Sequence, residues 1–276
     1  MRQPSLIKHV PPAEDALAPP GLAARLHHRI ARHVPVSPFQ AVGVPTVSFS
    51  FDDAPVSAAT TGAALMEEHD ARATFYVAGG LLGVQDLHWR VIGGEDVVDL
   101  HARGHEIGCH SHSHVRADSM TGDRIEADIL RNRDVLKTLE PSLPLENFAY
   151  PFGHANLTWK LRLRRHFRSS RGIWPDVNQG RTDAQYLNAV PLIDRELDEG
   201  GIDRAFDRAA RGGGWVIFYS HDVAARPSDY GCSPGLLRHA LRAAGRFGLR
   251  VETVSNALAR MSGRISCLWL MLIPLA

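Results

Sequence analysis

The sequence has 276 residues, 44% of them hydrophobic and 22% charged. That is the balance of a soluble globular protein and enough chain for one large α/β domain. Lys+Arg (31) and Asp+Glu (30) nearly cancel, leaving a formal net charge of +1, a balance that does not call for nucleic acid or an anionic membrane as partner. Cys109, Cys232 and Cys267 are too few for a disulfide framework and lack metal-site spacing, so reduced thiols and a cytoplasmic location are expected. The N-terminal region contains no apolar run of leader length. The apolar stretch ISCLWLMLIPLA at 265–276 falls short of the ~20 residues a membrane span requires.

Residues 1–40, rich in Pro, Ala and His, read as an extended arm with a short helix around Leu22–Val34. VPTVSFSFDD then opens a strand, with Val44, Val47, Phe49 and Phe51 among small β-formers. VSAATTGAALMEEHD has helical apolar spacing through Ala63, Leu65 and Met66. ARATFYVAG is a strand, GGEDVVDLHARG a helix stopped by Gly104, and HEIGCHS a strand entering a loop. TGDRIEADILRNRDVLKTL is an amphipathic helix, with Ile125, Ile129, Val135, Leu136 and Leu139 apolar and Thr121 at the N-cap.

The alternation continues through NFAYPFG (strand), NLTWKLRLRRHF (helix), SSRGI (strand), GIDRAFDRAARGG (helix), GWVIFYSH (strand), SPGLLRHALRAAGRFG (helix) and LRVETVS (strand). Strand and helix taking turns predict a parallel sheet wrapped in helices: a single-domain, barrel-like α/β fold over 41–262, followed by an apolar tail at 263–276. In such barrels chemistry gathers at the C-terminal strand ends. Polar clusters follow apolar strands at Asp52–Asp53, His110–His114, Tyr150–Gly153 and His221–Asp222.

Adjacent carboxylates at a strand end point different ways, so one of Asp52 and Asp53 can bind a metal while the other acts as a base. The pair is equally compatible with a turn in which Asp53 caps the next helix. His110, His112 and His114 alternate in GCHSHSH. His110 and His114 share a face whether the segment is strand or helix, and with one carboxylate they form a three-ligand set with open positions. His112 reads as a bystander, and upstream His105 as support for the strand. His221 closes a strongly apolar strand, a common place for a structural histidine; its functional reading is a general acid, since imidazole can be protonated near neutral pH.

In this order, SFSFDDAP, HEIGCHSHSH, FAYPFG and VIFYSHD resemble the motifs of the polysaccharide deacetylases, carbohydrate esterase family 4, from about Thr46 to Leu258. The resemblance implies a distorted (β/α) barrel of about seven strands. It also implies removal of N- or O-acetyl groups from glycans such as chitin oligomers, peptidoglycan and xylan, with one divalent metal, usually zinc. Carried onto this sequence, it makes Asp52 the catalytic base, and Asp53, His110 and His114 the metal ligands. The backbone N–H of Phe152 becomes an oxyanion donor and His221 the general acid, with Tyr150, Pro151 and Gly153 shaping the substrate side of the turn.

Three departures stand out. Ala149 occupies the position where many members carry an Arg that orients the base; Arg171 in SSRGIW is the candidate replacement. The acidic partner expected for His221 is either Asp176 or Asp222. Ala54 replaces a common Gly, so the turn is expected to differ slightly.

Trp89, Trp159, Trp174 and Trp215 are candidate sugar platforms as well as core residues. The basic run KLRLRRHFRSSR, residues 160–171, reads as a solvated helix face, with an anionic substrate as the alternative. The expected partner is a carbohydrate or amino-sugar substrate, with no nucleic acid and no stable membrane span; nothing sets the oligomeric state. A relative acting on small non-sugar amides, as in the allantoinase-like branch, and a non-catalytic carbohydrate-binding protein on the same scaffold are the competing readings.

Overall fold

The computed structural model describes residues 21–261. Helix α1 (Leu22–His33) leads into a short strand, β1 (Pro38–Ala41). Then come β2 (Thr46–Asp52), a π-helical turn (Ala58–Gly62) with α2 (Ala63–Glu68), β3 (Thr74–Val77), α3 (Gly94–Ala102), β4 (Glu106–Cys109) and α4 (Gly122–Leu139). The chain continues through β5 (Asn147–Ala149), α5 (Leu157–Leu163), β6 (Ser169–Arg171), β7 (Gly180–Asp183) and β8 (Val190–Pro191). It ends in α6 (Glu199–Gly212), β9 (Trp215–Ser220), α7 (Pro234–Arg246) and β10 (Arg250–Val251), with a helical stretch at 254–261. The apolar run at 265–276 lies outside the described residues.

The strands pair in parallel in the order β6-β5-β4-β3-β2-β9-β8. Leu187, just before β8, bridges back to Arg171 at the end of β6. Its N–H bonds Ser170 O and its carbonyl accepts from Gly172 N, both at 2.9 Å. The sheet therefore curls into the distorted seven-strand barrel expected from the sequence, its last seam held by a single bridge. β10 adds to β2 at Thr46 and Val47, on the edge that β3 occupies from Ser50 onward.

β2 shows why these residues make this wall. All seven of its positions are buried. Val47, Phe49 and Phe51 pack outward into the main core with Phe75, Val77, Ile107, Phe206 and Phe218. The alternate residues Ser48, Ser50 and Asp52 face the barrel interior. Ser48 Oγ accepts the Trp215 indole N–H at 2.9 Å, and Ser50 Oγ donates to Phe218 O at 2.8 Å. Each Phe contributes about 2–3 kcal/mol by leaving water, and the hydroxyls satisfy themselves locally, so the strand tolerates burial on both faces.

Two expectations need correction. Thr121 stands at the N-cap of α4 with extended backbone, but its hydroxyl makes no cap bond. The run at 160–171 is a solvated basic face only in part. Lys160 is fully buried, 2.6 Å from Asp183 and bonded to the carbonyls of Ala31 (2.5 Å) and Val34 (2.8 Å). Arg162 pairs with Asp123 and Glu126, Arg168 with Glu146, and Arg171 with Asp52. Acids from other segments pair with these four cations, whereas Arg164 and Arg165 are exposed. A further feature was not legible: β1 pairs antiparallel with β7 outside the barrel, Pro38 opposite Asp183. No helix among the described residues is long and apolar enough to cross a membrane.

Lys160→Met should destabilise the protein by about 3–5 kcal/mol, because it removes the only cation beside the largely buried Asp183 carboxylate among the described residues and leaves it the backbone N–H groups of Val36, Ser37 and Gln185. Urea unfolding followed by circular dichroism measures this; a loss under ~1 kcal/mol would show that the ion pair is dispensable.

Candidate active site

The turn after β2 presents the two carboxylates. Asp53 and Ala54 both adopt positive φ, +58° and +46°, so the chain reverses at once. Ala54 takes the left-handed conformation despite its Cβ, at a cost of about 1–2 kcal/mol; its carbonyl is held by Ile92 N at 3.1 Å. Ala54 thus adopts a conformation that glycine takes more freely.

Asp53 Oδ1 lies 3.1 Å from His114 Nε2 and 3.7 Å from His110 Nε2. One ligand atom from each of the three residues lies within 4.8 Å of the others. The fit to a cation can be judged from the atoms themselves. Asp53 Oδ1 is buried and accepts no hydrogen bond among the described residues, an expensive state for a carboxylate oxygen unless a positive charge offsets it. His110 Nδ1 is 2.8 Å from Ala149 O, so that nitrogen carries the proton and the Nε2 lone pair faces Asp53. Burial lowers the His110 pKa to about 4, which keeps the ring neutral, as a ligand must be. The set therefore suits a divalent ion with N/O ligands.

Asp52 faces inward beside this cluster. Its Oδ1 accepts from Arg171 Nη2 in a fully buried pair. Burial pushes the Asp52 carboxyl up, but Arg171, His110 and His221 outweigh it and hold the group below the usual carboxylate range. Arg171 lies between the rings of Tyr76 and Tyr219, 5.0 and 5.5 Å from their centroids. β6 pairs with β5 so that Arg171 sits directly opposite Ala149. A guanidinium thus reaches Asp52 from the strand beside Ala149, at the same level of the barrel, a register that sequence spacing does not disclose.

The FAYPFG turn flanks the other side. Phe152 has φ +57°, and its ring centroid lies 4.8 Å from that of His114. Gly153 has φ +67°, and a Cβ there would lie 2.1 Å from Ile173, so only glycine closes this turn. Pro151 and Gly153 are buried and act by shaping it. Tyr150 departs from the substrate-binding expectation. It is fully buried, its hydroxyl bonds Gln185 O at 3.1 Å and its ring packs with Phe148 and Tyr186. Tyr150 shares with Phe148 the outer side of the strand, which packs into the core with Trp159 and Leu163, out of reach of a ligand at the barrel mouth.

His221 follows β9. Its Nε2 is 4.0 Å from Asp53 Oδ2, its Nδ1 is 3.1 Å from Tyr230 O, and its ring stacks on Trp89. Neither acid expected beside it is there. Asp176 pairs with Arg208 at 2.6 Å. Asp222 accepts from Ser228 N (2.9 Å) and Ser228 Oγ (2.5 Å); it fixes the loop that carries the Tyr230 carbonyl rather than touching the imidazole. Of the candidate platforms, Trp159 and Trp215 are fully buried and Trp174 lies under Arg32, 3.1 Å from its ring. Trp89 alone of the four contacts a site residue.

Sequence reading passed over the residues that brace the histidine loop. Asp128 on α4 accepts from His112 N (2.7 Å), Ser113 N (3.2 Å) and Ser113 Oγ (2.5 Å). One turn on, Asn132 accepts from Gly79 N at 2.6 Å and donates to Val77 O at 3.0 Å, tying α4 to the exit of β3. The available signal was an i,i+4 polar pair on the face that carries Ile125 and Ile129. His112 contributes backbone only: its carbonyl accepts from Gly80 N at 3.0 Å. His105 holds the base of the barrel, between Ala73 N and Glu67 Oε1, each at 3.0 Å.

Residues 40–166 match the family model described as polysaccharide deacetylase. Over those residues, a little under half of the chain, the sequence is similar to the polysaccharide deacetylases. Solved structures extend the likeness across the barrel. The chitin deacetylase of Colletotrichum lindemuthianum superposes with a TM-score of 0.58 at 17% identity, covering 81% of this chain and 91% of that one. A family 4 acetyl xylan esterase from Clostridium thermocellum, in complex with a cobalt ion, gives 0.55 at 21% identity over 79% and 92%. A peptidoglycan deacetylase from Bacillus subtilis gives 0.54 at 18% identity over 83% and 96%. At these identities the likeness establishes the fold. No curated protein matches the sequence. The family it resembles over 40–166 comprises hydrolases that remove acyl groups from glycans.

Asp128→Ala should weaken metal binding by about 10–100-fold without touching a ligand, because His112 and Ser113 lose their shared acceptor and the loop carrying His110 and His114 relaxes. Competition with a chromophoric zinc chelator reads this; unaltered affinity would show that the loop is rigid without Asp128.

Proposed function

We propose that the protein hydrolyses the N-acetyl group of an amino sugar, such as a unit of a chitooligosaccharide, with one divalent ion, zinc, held by Asp53, His110 and His114. The observation that carries this reading is the meeting of three ligand atoms within 4.8 Å, beside a second carboxylate kept ionised by a buried arginine. Carboxylate and imidazole donors with room for further ligands suit zinc in a catalytic setting. An ion bound there supplies Lewis acidity, acidifying water and polarising the acyl carbonyl.

The chain's own residues account for the proton movements. Asp52, with Oδ1 held by Arg171, presents Oδ2 as the base that takes a proton from the attacking water. The Arg171 pair sacrifices some basicity and gains a fixed orientation. Phe152, at the left-handed turn against His114, offers its N–H to the developing oxyanion; a preorganised donor of this kind lowers a barrier by about 3 kcal/mol. His221 delivers a proton to the departing nitrogen as the C–N bond breaks, since an amine leaves poorly as an anion. The products are a carboxylate, acetate for an acetyl substrate, and the free amine. Soluble oligosaccharides or lipid-linked precursors are the substrates a cytoplasmic enzyme would meet.

Metal analysis of the purified protein, run with an acetate-release assay on N-acetylated chitooligosaccharides and a panel of cyclic and linear amides, tests the proposal. The expected result is about one zinc per chain and acetate from the sugars alone. Turnover of a cyclic amide in place of the sugars would replace the glycan reading, and glycan binding without hydrolysis at any metal loading would replace the enzyme.

Asp52→Asn should retain metal and lose at least ~10²-fold in kcat; near-normal turnover would remove Asp52 as the base. His114→Ala should lose metal first, and full metal content in that variant would reject it as a ligand.

A further inference from the structure

We propose that Trp89 is the positioning residue of the acid His221, taking the place of an acidic partner; this rests on the reading of His221 as the proton donor. The two rings stack with centroids 5.1 Å apart and planes inclined by 27°, an offset geometry that is attractive between aromatic faces. On the ring edge, Nδ1 meets the Tyr230 carbonyl at 3.1 Å. One contact fixes the plane of the imidazole and the other its rotation within that plane. Together they aim Nε2 towards Asp53, 4.0 Å away.

Trp89 is itself held. It lies in a short hairpin in which Gln85 bridges Arg90, Asp86 N bonds Trp89 O and Val91 N bonds Val84 O, both at 2.9 Å. The hairpin is tied to the turn after β2: Val56 N bonds Arg90 O at 2.9 Å, Ile92 N bonds Ala54 O at 3.1 Å, and Pro55 bridges Val91. The edge of Tyr230 meets the indole at 6.4 Å and 88°. The segment that presents Asp52 and Asp53 thus also anchors the ring that orients His221, so base, ligand and acid are registered to one turn.

The chemistry offers a selective test. Amide cleavage requires His221 Nε2 to pass a proton to nitrogen as the C–N bond breaks. Ester cleavage of p-nitrophenyl acetate releases a stable phenolate and needs no proton at that step. Kinetics of Trp89→Ala, Trp89→Phe and His221→Ala would be compared on an N-acetylated chitooligosaccharide and on p-nitrophenyl acetate, with metal content measured for each.

Trp89→Ala should lower amide kcat by at least ~10-fold, part of the ~10²–10⁴-fold that a general acid contributes, with KM within about 2-fold and ester turnover preserved. Trp89→Phe keeps a face for stacking while removing the indole N–H, which is buried and unpaired among the described residues; it should recover most of the amide rate. Equal losses on both substrates in Trp89→Ala, or no rescue by Phe, would overturn the positioning role. If His221→Ala also loses both substrates equally, or the unaltered protein hydrolyses neither, the underlying assignment of His221 fails instead. A selective His221→Ala beside an unaffected Trp89→Ala would refute the Trp89 proposal alone.

Discussion

A buried carboxylate oxygen without a donor is the constraint on which this molecule turns. Asp53 Oδ1 faces two imidazole nitrogens and accepts no hydrogen bond among the described residues. A fold keeps such a group out of water only when the surroundings hold it there, and the holding is visible: the left-handed turn at Asp53 and Ala54, the Ala149 carbonyl on His110, and Asp128 beneath the histidine loop. Each support comes from a different strand or helix. The site is therefore a product of barrel closure rather than of any local segment.

The second carboxylate shows the same economy. Asp52 is buried as deeply as its neighbour, but it is given a cation, and the cation is in turn placed between Tyr76 and Tyr219. Two adjacent residues of one sequence thus acquire opposite electrostatic settings, one paired and one left open. That division is what the proposed roles of base and ligand require. It requires only that successive side chains at a strand end diverge and that a neighbouring strand reach across at the right level.

The mouth of the barrel also explains how an expected acid could be dispensed with. Asp222 still acts near His221, through the loop it organises around Ser228 and Tyr230. A backbone carbonyl and an indole face then meet the imidazole directly. Positioning by a rigid neutral surround keeps the ring aimed without placing another negative charge beside Asp53.

Much of this was readable along the chain. The alternation of apolar strands with amphipathic helices determined the α/β barrel, because periods of about two and 3.6 residues can each bury only one kind of surface. SFSFDD, HEIGCHSHSH and VIFYSH marked the strand ends, and strand ends share one rim in a parallel barrel. Tertiary structure alone decided what depends on pairing register and on side chains meeting across large sequence distances. Arg171 stands level with Ala149 because β5 and β6 align those two residues, and Lys160 is a buried tie because Asp183 reaches it from β7. Tyr150 turns into the core, Asp222 turns to its own loop, and Trp89 reaches His221 from a hairpin more than a hundred residues away. Periodicity fixes which way a side chain leaves its own backbone; what it meets there is set by the other strands, and only the closed barrel supplies them.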